Sequence, residues 1–414
     1  MSKKESDSKV LYFLTSEFPF GSGETFIENE IHFLSKAFKK VVIISGASDS
    51  SLQRSVPQNV EIKKITYDYT FSFQEIIMSI FSWRLIKELS LMFFSYKKLP
   101  IFGRLKTIIT SNANSFRLKK LYSNEIDSLN LNTKKYLYSF WFNDSTYALG
   151  LMKKENPNLK VFSRAHRWDL YFDQNKYDYL PFRLQTSKHI DVIYSASLEG
   201  IQYFKEKWKI SNHNNLKLSR LGVVPQQLLS INISSKIIVS CSNVIPVKRV
   251  EKIIESLAFI KTEKVKWVHF GTGIKDIEVK DLALKLLNEK VSFEFMGRLE
   301  NSKLLLWYKK NKPDLFINLS YSEGIPVSIM EAMSFGIPCV ASSVGGCIEL
   351  VTSSVGYPVR VDALPEEIAK TIDDFFNLST LEKESMRKKS HNHILESFNS
   401  TKNYIEFCKS LKLS

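Results

Sequence analysis

From Lys9 onward, short apolar runs alternate with longer amphipathic stretches. The run VLYFLTS leads through a glycine-bearing loop, Pro19 to Gly23, into an amphipathic stretch from Thr25 to Phe38 and a second apolar run, VVIISG, which is a βαβ pattern. The alternation resumes with YLYSF, Thr146 to Glu155, LKVFSRA, DVIYSAS and Leu198 to Trp208. Between Gly222 and Ser235 the sequence GVVPQQLLSINISS replaces periodic apolar residues with Pro, Gly, Gln and Ser, and a hinge is expected there. A second alternation follows: KIIVSC, a helix from Val250 to Ile260, VKWVHFG, a helix near Asp281, VSFEFMG, a helix near Leu304, and DLFINLS. The pattern predicts two doubly wound α/β sheets, mainly parallel and covered on both faces. The expected division is residues 1–225 and 226–394, with a C-terminal helix of about 395–414 packing back on the first domain.

The chain has 414 residues, 44% of them hydrophobic and 24% charged, with a formal net charge of +15. This is a globular composition with enough apolar surface for two cores. The charge implies anionic company: nucleic acid, an anionic membrane surface or a phosphorylated substrate. No finger spacing, RNA-binding signature or helix-turn-helix accompanies it, so no nucleic-acid partner is expected. Cys241, Cys339, Cys347 and Cys408 form no Cys-x-x-Cys pair, and no disulfide framework or zinc site is indicated. The opening MSKKESDSKVLYFLTS mixes acids with bases and does not read as a secretory signal. A cytoplasmic location is expected, which includes the inner face of the plasma membrane.

The longest apolar tract, Glu75 to Tyr96, is interrupted by Arg84, Lys87 and Glu88 before a spanning length is reached. With Lys97, Lys98, Arg104 and Lys106 beyond it, the tract reads either as an amphipathic helix on an anionic bilayer or as an ordinary helical layer.

The richest segment runs from Asp314 to Val351. From Gly324 through Val359 the only charged residues are Glu331 and Glu349, far fewer than a 24% charged composition would place there, so the stretch is expected to be mostly buried. It reads as strand 315–319, a glycine loop, Pro326 near the first helical position, a short helix, Gly336 past its end, and strand CVAS. Glu323 then sits at the carboxyl edge of a strand, beside a helix N-terminus, where open α/β sheets bind ligands. Glu331 lies mid-helix, where a carboxylate needs hydroxyls, N–H groups or a cation; a neighbouring backbone group or Lys248 would also serve.

Ser322-Glu323-Gly324-Ile325-Pro326 with Glu331, then GIPCVAS and Val344-Gly345-Gly346, resembles the signature of the retaining glycosyltransferases of family 4. The likeness extends through VSCSNVIPVKR, HFGTG and EFMGRLEN, and more weakly through GSGETFIENEI and SRAHRWDLY, leaving out the helical tract of about 70–125. It implies the GT-B architecture, two Rossmann-like domains facing across a cleft, and transfer of a sugar from a nucleotide diphosphate donor, usually a UDP-sugar, with retention of configuration. A saccharide or lipid-linked acceptor in surface polysaccharide or lipopolysaccharide synthesis is the usual work of such proteins.

Carried over residue by residue, the resemblance makes Glu331 the ribose ligand and puts Glu323 near the transferred sugar, with Gly324, Ile325 and Pro326 as the turn holding sugar or phosphate. Lys248 matches the lysine that neutralises the diphosphate. An arginine usually stands five residues earlier, where this chain has Asn243; either Arg249 substitutes from the next position or leaving-group stabilisation is weaker than usual. Gly271 belongs to the HFGTG turn, and Gly297, Arg298 and Leu299 match the strand end near the base. His166 matches the first-domain histidine beside the reacting sugar, with Asp169 and Arg164 to orient it. Gly23 is expected near the donor, and Gly21, Glu24 and Asp169 on the acceptor side. His166, Lys248 and Glu323 form the expected catalytic set. No Asp-x-Asp occurs, so neither metal nor cofactor is expected.

Plainer readings exist: a surface lysine at 248, a structural histidine at 166, and a simple turn at Gly21 and Gly23. Two other functions also fit parts of the pattern. One is a catalytically idle GT-B partner subunit, suggested by Asn243. The other is a nucleotide-dependent oxidoreductase, suggested by Gly271-Thr272-Gly273, although the third glycine of the dinucleotide fingerprint is missing.

Overall fold

The computed structural model describes residues 9–21, 23–24, 26–46, 53–65, 70–126, 134–210, 215–231 and 236–413. The opening segment 1–8 and the end of the expected hinge, 232–235, lie outside the described residues.

The chain divides into two compact units, Met1–Ser219 with Tyr404–Ser414, and Arg220–Asn403. The first holds a seven-stranded sheet of β1 (Lys9–Thr15), β2 (Lys40–Ser45), β3 (Val60–Lys64), β4 (Lys134–Ser139), β5 (Lys160–Ala165), β6 (Val192–Ser195) and β7 (Leu216–Leu218), in the order β3-β2-β1-β4-β5-β6-β7. The second holds β8 (Lys236–Cys241), β9 (Val265–Phe270), β10 (Val291–Gly297), β11 (Leu315–Asn318), β12 (Cys339–Ser342) and β13 (Tyr357–Val359), in the order β10-β9-β8-β11-β12-β13. All pairings are parallel. Central strands such as KVVIIS are continuous apolar runs because helices cover both faces. The edge strand β10 instead alternates, with Ser292 and Glu294 exposed.

In both sheets the strand order reverses beside the first strand, between β1 and β4 and between β8 and β11. Such reversals open a crevice at the carboxyl ends of the strands. Core clusters lie on both faces of each sheet; Leu11, Phe13 and Val41 belong to one cluster of the first unit and Tyr12, Leu14 and Val42 to the other.

The break falls at Ser219/Arg220, earlier than the glycine- and proline-bearing stretch implied. Residues after it are fixed to the second unit: Val223 N donates to Phe398 O (2.9 Å), Ser400 N to Val223 O (3.0 Å), and Leu229 N to Phe335 O (3.0 Å). The C-terminal stretch is two helices, Thr380–Ser397 and Ser400–Leu413, and the chain rejoins the first unit at Tyr404 rather than near 395. Phe407 there packs on Tyr138 (5.2 Å) and Tyr194 (4.9 Å).

The apolar tract from Glu75 is not one helix. It forms Phe73–Ile80, Trp83–Ser90 and a π-helical turn Leu91–Ser95, before the long helix Phe102–Ile126. Among the described residues no helix is long and apolar enough to cross a membrane.

Candidate functional site

In the second unit the two strands flanking the reversal, β8 and β11, carry the principal charged pair on their carboxyl-end loops. Lys248 Nζ donates to Glu323 Oε1 at 2.6 Å, with 23% and 7% of the two side chains exposed. The same oxygen accepts from Ser320 Oγ (2.6 Å) and Asn318 Nδ2 (3.2 Å), and Asn318 Oδ1 in turn takes Ser320 N–H (3.0 Å). Oε2 receives no hydrogen bond from the described residues. A buried carboxylate needs such a donor set, because an unpaired charge there would cost several times what a neutral hydrogen bond returns.

Backbone contacts join the neighbouring loops into one rim. Val244 N donates to Thr272 O (3.1 Å), Tyr321 N to Val247 O (2.8 Å), Gly271 N to Gly297 O (2.9 Å), and Gly346 N to Gly324 O (2.6 Å). Two of these approaches require glycine. Gly271 has φ +137, and a β-carbon there would stand 1.8 Å from Ser242 O; Gly345 has φ +48, and its β-carbon would stand 1.9 Å from Glu323 O. The HFGTG turn is thus needed for loop packing whatever it contacts.

The turn Gly324-Ile325-Pro326 leads into the helix Val327–Ser334, with Pro326 as N-cap. Its first N–H groups have no intrahelical partner and favour an anion. Glu331, on this helix, is half-buried and accepts from Asn301 Nδ2 at 2.5 Å, not from Lys248. Burial pushes its carboxyl up to about 7, against the lowering effect of Asn301. Gly297 ends β10 after a register shift, with Arg298 exposed and Leu299 half-buried against the core.

Arg249, the expected substitute for the arginine missing at Asn243, is bonded within the second unit. Its Nε donates to Leu319 O (2.6 Å), Nη1 to Val361 O (2.8 Å), and Nη2 to Ser342 Oγ (3.2 Å) and Ser320 O (3.4 Å). The guanidinium clamps the ends of β11, β12 and β13, and burial lowers its pKa.

In the first unit His166 caps a short turn, Arg167–Leu170, after β5. Asp169, fully buried, accepts His166 N–H (2.6 Å) and Phe142 N–H (2.7 Å), which fixes that turn. The imidazole lies 4.6 Å from the rings of both Phe140 and Trp141. Both of its nitrogens are buried without a hydrogen-bond partner among the described residues. Arg164 does not orient it: buried beside Phe407, it pairs with Glu30 and donates to Ser219 Oγ (3.2 Å).

Glu24, expected on the acceptor side, is engaged within its own unit. Its carboxylate accepts the successive N–H groups of Ser16 (2.9 Å), Glu17 (2.7 Å) and Phe18 (2.7 Å), and Trp141 Nε1 (2.6 Å), and so ties the loop after β1 to the end of β4. Gly21 and Gly23 lie on that loop, where Gly23 N donates to Glu17 Oε2 (3.2 Å).

Asn301, Asn318 and Ser320 complete the polar surroundings of the two glutamates. Sequence reading missed them, although Asn301 lies within EFMGRLEN, which carried the resemblance, and Asn318 and Ser320 lie within DLFINLS, which was read as a strand.

Residues 227–393 match the family model described as glycosyl transferases group 1. N-acetyl-alpha-D-glucosaminyl L-malate synthase of Bacillus anthracis is 32% identical over 133 residues, 32% of this chain and 34% of that protein. O-antigen biosynthesis glycosyltransferase WbnH of Escherichia coli is 26% identical over 201 residues, 46% of this chain and 56% of that protein. The chain therefore spans about a third to just over half the length of these curated relatives. Among solved structures, the apo form of lipopolysaccharide outer core galactosyltransferase WaaB superposes with a TM-score of 0.68 at 14% identity, covering 98% of this chain and 99% of that one. Anabaena HepE in complex with UDP and glucose gives 0.63 at 14%, covering 98% and 100%. These likenesses show the fold, which is GT-B.

Proposed function

From the match of residues 227–393 to the glycosyl transferases group 1 model, we propose that the protein moves a sugar from a UDP-sugar to a saccharide or lipid-linked saccharide acceptor, with retention of configuration and no metal ion. The observation that carries this reading is the Lys248–Glu323 pair at the strand-order reversal of the second sheet, beside the N-terminus of the helix Val327–Ser334. UDP in HepE supports the choice of donor, and the O-antigen and lipopolysaccharide titles of WbnH and WaaB support a surface-polysaccharide setting.

Lys248 has one of its three N–H donors on Glu323 and turns the others to the diphosphate, stabilising the charge that builds as the phosphate leaves. The N–H groups after Pro326 share that charge. Glu331, once ionised, accepts from two vicinal ribose hydroxyls. Glu323 Oε2 accepts from a sugar hydroxyl. In the first unit, His166 offers a sugar hydroxyl or a phosphate two ring nitrogens that are buried without a hydrogen-bond partner among the described residues. The anomeric C–O bond to phosphate breaks, and the departing phosphate oxygen takes the acceptor's hydroxyl proton. The new C–O bond then forms on the same face.

One observation favours a second reading, an idle partner subunit. Asn243 stands where an arginine is expected, and Arg249 is engaged elsewhere. A panel of nucleotide sugars, scored by nucleotide release with and without membrane extract, separates the two. Turnover with one donor, strongly reduced in Glu323→Ala while donor affinity is kept, is the expected result. Tight nucleotide binding without turnover of any donor favours the idle subunit, and failure to bind any nucleotide overturns both.

A further inference from the structure

The helices Phe73–Ile80 and Trp83–Ser90 turn polar groups inward alongside Leu85 while leaving large apolar side chains exposed. Ser79 is the buried residue of the first, and it donates to Ile109 O (2.8 Å) while Asn112 Nδ2 reaches Ser79 O (3.2 Å) and Ser82 Oγ (3.1 Å). On the second helix Glu88 is buried beside Leu85 and accepts from Tyr179 Oη (2.6 Å), Phe182 N (2.8 Å) and Gln185 Nε2 (2.9 Å). Polar contacts thus hold much of the inner side.

The outer side is apolar. Phe73, Ile77, Ile80 and Phe81 recur at helical spacing along the first helix, and Trp83, Ile86, Phe93 and Phe94 along the second and its π-helical extension. Phe81 is 83% exposed, Trp83 75% and Phe94 74%. Single exposed apolar residues are ordinary, but a set this rich in aromatics, recurring at helical spacing on consecutive elements, marks an interaction face.

Its charge selects the partner. Residues 73–106 hold six Lys or Arg and two Glu. Glu75 is paired with Arg117 and Glu88 is buried, whereas Lys87, Lys97 and Lys106 are exposed. A second copy docking on this face by two-fold symmetry would set lysines against lysines. An anionic surface with an apolar interior matches both features. We propose that this face seats the protein on an anionic lipid bilayer, aromatic rings at the headgroup–acyl boundary and lysines against the headgroups. This inference does not depend on the reaction assigned above.

Flotation of the intact protein with phosphatidylcholine vesicles, with and without phosphatidylglycerol, tests it. Binding to the anionic vesicles is expected to exceed binding to neutral ones by at least about tenfold and to weaken in high salt. Replacing Phe81, Trp83 and Phe94 together by Ser should lower it at least about tenfold, with the circular dichroism spectrum and thermal transition retained. Each of Lys87→Gln, Lys97→Gln and Lys106→Gln should lower it about fivefold. No vesicle binding, equal binding to neutral vesicles, or a concentration-dependent dimer that the serine variant abolishes would overturn the proposal.

Discussion

Replacing Glu331 by Gln separates what this carboxylate costs the empty fold from what it gives a ligand. Burial raises its pKa from 4.5 to about 7. Below about pH 4.5 the group is protonated in folded and unfolded chains alike, and its favourable contribution is complete; that contribution is lost as pH rises through 7, because ionisation is then easier in the unfolded chain. At about 1.36 kcal/mol per pKa unit the full difference is about 3 kcal/mol, and residual solvent contact reduces it to about 1–3 kcal/mol. Gln keeps the acceptor for Asn301 and cannot ionise. At pH 8 the second unit of Glu331→Gln should therefore melt higher, by about 2–4 °C for each kcal/mol, and the two proteins should converge below about pH 4.5. Ligand binding should respond in the opposite direction. If the ionised form holds the ribose, wild-type affinity for a UDP-sugar rises about tenfold from pH 6 to pH 8, and the variant binds weakly with no such slope. Scanning calorimetry and isothermal titration across this range measure both, with the intact sugar nucleotide used because a terminal phosphate titrates near pH 6. A variant no more stable than wild type at pH 8, or one that keeps the wild-type slope, refutes the reasoning.

Two further substitutions test the scaffold around the pair. Arg249→Met removes donors from Leu319, Ser320 and Val361 carbonyls and Ser342, and should destabilise the second unit by about 2–4 kcal/mol in urea; unchanged stability with altered donor affinity would show that the guanidinium serves the ligand. Gly345→Ala sets a β-carbon against Glu323 O in a left-handed backbone, and turnover should fall more than about tenfold with secondary structure kept. Turnover within about twofold of wild type would mean that the loop tolerates the shift.

How much could be read from sequence depended on how far apart the interacting residues lie. The two parallel sheets follow from apolar runs a few residues long, and Glu323 and Glu331 stood out because so little charge surrounds them. The surroundings of Arg249 had no such local mark, since its acceptors come from three loops about 70 to 110 residues further on. The partners of Glu24 were hidden for a similar reason: as it folds back on three successive amides, it reaches an indole 117 residues away. The unit boundary was hidden because Val223, inside a stretch that reads as a linker, pairs with a segment near the other end of the chain. The tract after Glu75 gave its amphipathic character but not its division into two short helices and a π-helical turn, and this division sets which rings point outward.

The return of the chain to the first unit at Tyr404 makes that unit discontinuous in sequence. During synthesis Phe407, Cys408 and Leu411, which close one of its cores, are made only after all of its strands. A polypeptide cut at Ser219 would present that gap to solvent, so the first unit reaches its final packing only after all of the second has left the ribosome.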